Sequence, residues 1–158
     1  MCMLVYVASD YQLPTLAWDE NHPNFHVSEL SAREEPVRRQ FSKPCVYYVG
    51  SHQGCGCGFQ YGQYEELEDD PAEITAARDS RQRLAEFLAV ALQHQAEVQL
   101  FACWDGDQGA EPEYRGRVRP ADLALDRFFF REKELLVASD ASAEPSAADD
   151  RGIRFSSS

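Results

Sequence analysis

The sequence predicts an α+β (or α/β) fold: a mixed sheet with a central β–α–β unit, one long helix and a C-terminal β-hairpin. Two observations carry this. Three short segments, Met3–Val7, Cys45–Val49 and Val98–Trp104, are apolar on both alternating faces, as expected of strands covered on both sides. Between the second and third lies a segment whose apolar residues recur at helical spacing.

The elements follow in order. Met3–Val7 ends at Ser9-Asp10, and a loop containing Pro14 and Pro23 leads to a weaker, half-polar strand over Phe25–Leu30. Ser31 and Glu34 have capping-box spacing ahead of a short helix over Glu35–Phe41, with Pro36 in its first turn. Cys45–Val49 delivers the chain into a glycine-rich loop. Asp70-Pro71-Ala72-Glu73 then reads as a helix start, with Asp as N-cap, Pro at N1 and Glu at N3. Ile74, Ala77, Leu84, Leu88 and Ala91 continue a stripe to about residue 94, with Arg81 in the remaining slot. His94, near that helix end, suits its dipole. Val98–Trp104 is the third buried strand and Pro120–Leu125 a short helix; Phe128–Phe130 and Leu135–Ala138 are expected to form the terminal hairpin. Residues 1–138 are expected to make one globular domain, and residues 139–158, rich in Ser, Ala and Asp, a disordered tail.

The chain has 158 residues and a net charge of −12, so phosphate backbones and anionic lipid surfaces are repelled. No nucleic-acid or membrane partner is expected, and a protein partner of unspecified kind is left open. Asp10 interrupts the opening apolar run where a signal peptide would need more apolar residues, which points to the cytoplasm. Thiols stay reduced there, and an odd count of 5 cysteines also argues against a complete set of disulfides.

Gly50–Phe59 reads GSHQGCGCGF and gathers His52, Cys55 and Cys57. If the strands on either side of the long helix are parallel, this loop and Cys103–Asp107 emerge at one sheet edge, where open α/β sheets bind ligands. Asp10 joins them if the first strand is parallel too. Thiolates with an imidazole suit zinc, copper or iron, and Cys55, Cys57, His52 and Cys103 would complete a four-ligand zinc set. Asp105, Asp107 and Asp10 are further ligand or supporting candidates. Glycine at φ > 0 would let two thiols one residue apart converge. Alternation places Cys103 on the face opposite Trp104, so packing as a small apolar residue also explains it.

Three other readings compete. Cys55 and Cys57 form a strained, reducible redox pair, although the acidic run at 65–70 disfavours thiolate. Alternatively one of them is a nucleophile with His52 as base, Asp105 or Asp107 orienting it and loop amides holding an oxyanion. In the third, the chain is an acidic interaction module with structural cysteines, the acid run or Arg115, Arg117 and Arg119 contacting a partner. His22 and His26 are separated by Pro23 and do not share a helical face. Met1-Cys2-Met3 offers soft donors, yet Met3 opens a buried strand, which favours a core role.

MCMLVYVASD, SHQGCGCGF and FACWDGD together resemble small bacterial proteins of uncharacterised function, over the chain up to about Ser139. That resemblance implies no activity, cofactor or catalytic residue.

Overall fold

The structure is a computed structural model describing residues 2–60 and 70–140. Its six strands are β1 (Met3–Ser9), β2 (His26–Glu29), β3 (Cys45–Gly50), β4 (Glu97–Trp104), β5 (Tyr114–Val118) and β6 (Glu134–Ser139). They form one mixed sheet in the order β2-β3-β1-β4-β6-β5. The helices are α1 (Cys57–Gln60), α2 (Pro71–Ala91) and α3 (Pro120–Leu123), with a 3-10 helix over Ala32–Gln40.

β1 pairs antiparallel with both β3 and β4. β3 and β4 therefore run in the same direction with β1 between them, and β3–α2–β4 is a β–α–β unit split by the first strand. The C-terminal ends of β3 and β4 share an edge, as expected. Because β1 is reversed, its start lies at that edge and its end at the other. Asp10 is consequently remote from the loop: its carboxylate pairs with Lys43 at 2.7 Å and its amide donates to Gln95 Oε1.

The two faces of the sheet are covered differently. Met3, Val5, Val7, Val49, Val98, Leu100 and Ala102 meet Leu84, Leu88 and Ala91 of α2 in the larger core cluster. Burying each such leucine contributes roughly 1.5–3 kcal/mol. Leu4, Tyr6, Ala8, Val46, Phe101 and Cys103 point the other way and pack with Val37 of the 3-10 helix. Tyr6 fastens that helix, its hydroxyl donating to Glu34 Oε2 at 2.8 Å while Glu34 Oε1 accepts from the Ser31 amide. The segment is 3-10 rather than α because an α turn would drive the Pro36 ring against the carbonyl of Ala32, and Pro36 has no N–H to give.

α2 starts as its sequence predicts: Asp70 Oδ1 accepts from the Ala72 amide at 3.0 Å and Pro71 is the first helical residue. Arg81 lies buried in its stripe, donating to the Phe59 carbonyl and to Asp126 Oδ1, both at 3.0 Å. The helix ends at Ala91, and Gln95 beyond it reaches Ser9 Oγ at 2.7 Å.

The terminal hairpin takes another form. β6 pairs antiparallel with β4 and parallel with β5, whereas residues 128–130 are not a strand. Instead the Gln60 side chain stands in for a neighbouring strand: its Oε1 accepts from the Phe130 amide at 2.6 Å and its Nε2 donates to the Phe130 carbonyl at 3.0 Å. Phe128 and Phe130 can then bury their rings in the α2-side core, where each stacks edge-on against the other. β5 is an edge strand. Arg117 on it pairs with Glu97, and Arg119 beyond it with Asp122, so two members of the arginine series are matched by acids. Ser139, where the tail is expected to begin, instead closes β6 opposite Glu97; the rest of that tail and most of the acidic run lie outside the described residues, residue 140 and Asp70 excepted. Among the described residues, no helix is long and apolar enough to cross a membrane.

Candidate metal centre

The reversed direction of β1 assembles the site. Its register sets Met3 opposite Trp104, and one step further the Asp105 amide donates to the Cys2 carbonyl at 2.9 Å. On the other side the Gly56 amide donates to the Met3 carbonyl at 2.7 Å. The start of β1 is thus held between the end of β4 and the middle of the cysteine loop. Cys2, Cys55 and Cys57 present three sulfurs within 4.8 Å of one another. Cys2 is exposed, and the other two are half-buried.

Two glycines permit this. A Cβ on Gly56 would sit 2.8 Å from the Met3 carbonyl oxygen and 2.9 Å from Val5 Cγ2, so only glycine lets the loop lie this close to β1. Gly54 has φ +89°, a left-handed conformation that side chains disfavour. The sharp turn therefore comes before Cys55, while the residue between the two thiols is glycine for clearance. Hydrogen bonds fix the turn: Tyr48 donates to the Gly54 carbonyl at 2.6 Å, and the Ser51 amide and hydroxyl both donate to the Cys55 carbonyl. Cys57 Sγ also receives the Met3 amide at 3.3 Å, which ties this sulfur to the start of β1.

The Cys55 thiol is pushed up to about 12. Burial is the largest cause; the Cys57 and Cys2 thiols add to it, against a lowering contribution from the Cys57 backbone. Such a thiol is protonated at neutral pH, and a bound cation is the natural means of drawing its proton off.

His52 and Cys103 do not belong to this group. The His52 ring turns toward α2, with Nδ1 3.1 Å from Ser80 Oγ and Nε2 2.9 Å from Glu73 Oε1. Ser80 Oγ also accepts from the His52 amide, and the Glu73 carboxylate, which can only accept, takes its hydrogen bond from Nε2. His52 pins the loop to the helix. Cys103 is fully buried on the 3-10 helix face, its thiol pushed up to about 12 by burial and then by Asp107, Asp105 and Glu34. Asp105 is engaged by Arg33, which holds its carboxyl below the ordinary range, and the Asp107 amide closes a turn on the Trp104 carbonyl.

The member not tied to the loop by its position in the sequence is Cys2: its soft-donor stretch is expected to serve the core, yet Cys2 is exposed. It stands at the start of an apolar run, and only the direction of that strand decides whether it meets the loop. Comparisons of the chain with family models, with curated proteins and with solved structures found no match. Three convergent sulfurs at a sheet edge can hold a thiophilic metal ion.

Proposed function

We propose that the protein binds a soft metal ion, zinc in the first instance, through Cys2, Cys55 and Cys57. The carrying observation is the mutual approach of three sulfurs within 4.8 Å. Zinc–sulfur bonds of about 2.3 Å hold sulfurs about 3.8 Å apart in a tetrahedron, so small side-chain rotations bring this group to bonding geometry. Among the described residues no fourth His, Asp or Glu joins the group, which leaves one coordination position to water or an incoming ligand. A reducing compartment such as the cytoplasm would keep the thiols available.

A second reading uses the same proximity: under peroxide, two of the three thiols lose their protons to form a disulfide while the oxidant is reduced to water. The upward shift of Cys55 weighs against spontaneous thiolate attack. The nucleophile reading has less support, because the His52 ring is committed to Ser80 and Glu73.

The test is the metal content of tag-free protein purified under reducing conditions without chelator, read by elemental mass spectrometry. Near one zinc per chain, lost in Cys2→Ser and in Cys57→Ser, is the expected result. No metal as purified and no uptake of added zinc or cadmium would overturn the reading.

A further inference from the structure

The donor set has a feature that zinc does not require. It consists of three thiols and, among the described residues, no imidazole or carboxylate. Its surroundings also bear on charge. Three thiolates around a divalent ion leave a net charge of −1 at the site, in a chain whose own charge is −12. Cys55 and Cys57 are half-buried, where an uncompensated charge is costly. A ligand that joins three sulfurs without leaving a charge escapes that cost. It must also have three bonds directed to one side and no need of a fourth donor.

We propose that Cys2, Cys55 and Cys57 capture trivalent arsenic, taken up as neutral arsenous acid. The inference rests on the three-thiol reading above and names a ligand class for the same site. In the step, three As–OH bonds break and three As–S bonds form. Each thiol proton leaves with a hydroxyl as water, so three waters are released. Arsenic stays trivalent throughout, no oxidant or reductant takes part, and the product is uncharged. Its pyramidal geometry uses three sulfurs on one side, while the arsenic lone pair occupies the remaining direction. Exposed Cys2 is the point of entry, and the half-buried pair closes the second and third bonds.

Protons separate the two ligand classes. Zinc binding draws protons off the thiols into solution, so its affinity falls by up to about a thousandfold for each pH unit of acidification. Arsenous acid condensation releases none, and its affinity is expected to vary by less than about threefold over the same interval.

The experiment titrates the full chain, reduced with a thiol-free phosphine, with sodium arsenite and separately with zinc and cadmium, at two pH values a unit apart. Intact mass spectrometry is expected to show one arsenic gained and three hydrogens lost. Cys2→Ser, whose side chain is exposed and not needed for packing, is expected to weaken capture at least about tenfold, as are Cys55→Ser and Cys57→Ser. Cys45→Ser and Cys103→Ser are expected to retain it. Uptake of zinc or cadmium without arsenite would overturn the arsenic proposal and leave the metal reading standing. Arsenite held equally by Cys2→Ser, with only two hydrogens lost, would overturn three-thiol capture. Failure of all three ligands would remove both readings.

Discussion

The amide of Gly56 lies 2.7 Å from the carbonyl of Met3, which makes the cysteine loop a continuation of the hydrogen bonding at the start of β1. A methyl group at residue 56 would meet that same carbonyl oxygen at 2.8 Å. Gly56→Ala is therefore expected to cost about 1–3 kcal/mol, read as a lower urea midpoint, because neither strand backbone nor loop can withdraw cheaply. It should also weaken cadmium binding, measured by the thiolate-to-metal absorption band. Unchanged binding would mean that this approach does not set the spacing of the thiols.

His52 and Glu73 give a prediction for acid. The hydrogen bond from His52 holds the Glu73 carboxyl below its ordinary value of 4.5. A carboxyl lowered in the folded state adds stability above the unfolded value and loses it as pH falls through the folded one. Wild type should accordingly exceed Glu73→Gln in urea midpoint near neutrality, with the gap closing below 4.5. The Glu73 side chain is 39% exposed, so the gap is expected to be modest and to shrink in salt. A pH-independent gap would assign the effect to packing rather than ionisation.

Cys103 gives the opposite sign. Its thiol is raised from 9.0 to about 12, so the neutral form is what the core accepts. Stability from this group is complete below 9.0 and is lost as pH rises toward about 12. Tyr6 and Tyr48 are raised too, chiefly by burial, so the informative quantity is the difference between wild type and Cys103→Ala. The variant should be about 1 kcal/mol less stable at neutral pH and show a shallower alkaline decline. Parallel declines would mean that the Cys103 thiol titrates alike in the folded and unfolded chain, so that burial does not raise it.

Gln60 offers a test independent of the thiols. Gln60→Leu nearly preserves volume but leaves the amide and carbonyl of Phe130 unpaired in a buried site. The expected loss is about 2–4 kcal/mol, with faster amide exchange at Phe130. A loss below about 0.5 kcal/mol would show that water replaces the side chain at no cost.

Much of this was legible in residue patterns. The apolar runs marked β1, β3 and β4, and Asp70-Pro71 marked the start of α2, because burial and capping leave local signatures. That the loop and the end of β4 lie at one sheet edge followed from the crossover between parallel strands, but the start of β1 stands between them instead of leaving them side by side. The direction of β1 was not legible, since an apolar run reads alike both ways, and on it turns the exchange of Asp10 for Cys2. His52 was hidden for a related reason. Its partners, Ser80 and Glu73, lie on a helix whose rotation about its axis is fixed only when it docks. Phe128–Phe130 has the composition of a strand, but the Phe130 backbone bonds the side-chain amide of Gln60 and the Phe128 amide donates to the Leu125 carbonyl.

The central place of β1 has a consequence for how the chain acquires its structure. Of the three central strands Met3–Ser9 is made first, and it needs partners on both sides, which lie at Cys45–Gly50 and Glu97–Trp104. During synthesis an apolar strand with two unpaired edges must wait for roughly a hundred residues to follow it, a topology of high contact order that folds slowly. Cys2 is the first of the three donors to emerge, and it is held between the loop after β3 and Asp105 after β4. A captured ion or metalloid would then report that the start of β1 has docked against the cysteine loop.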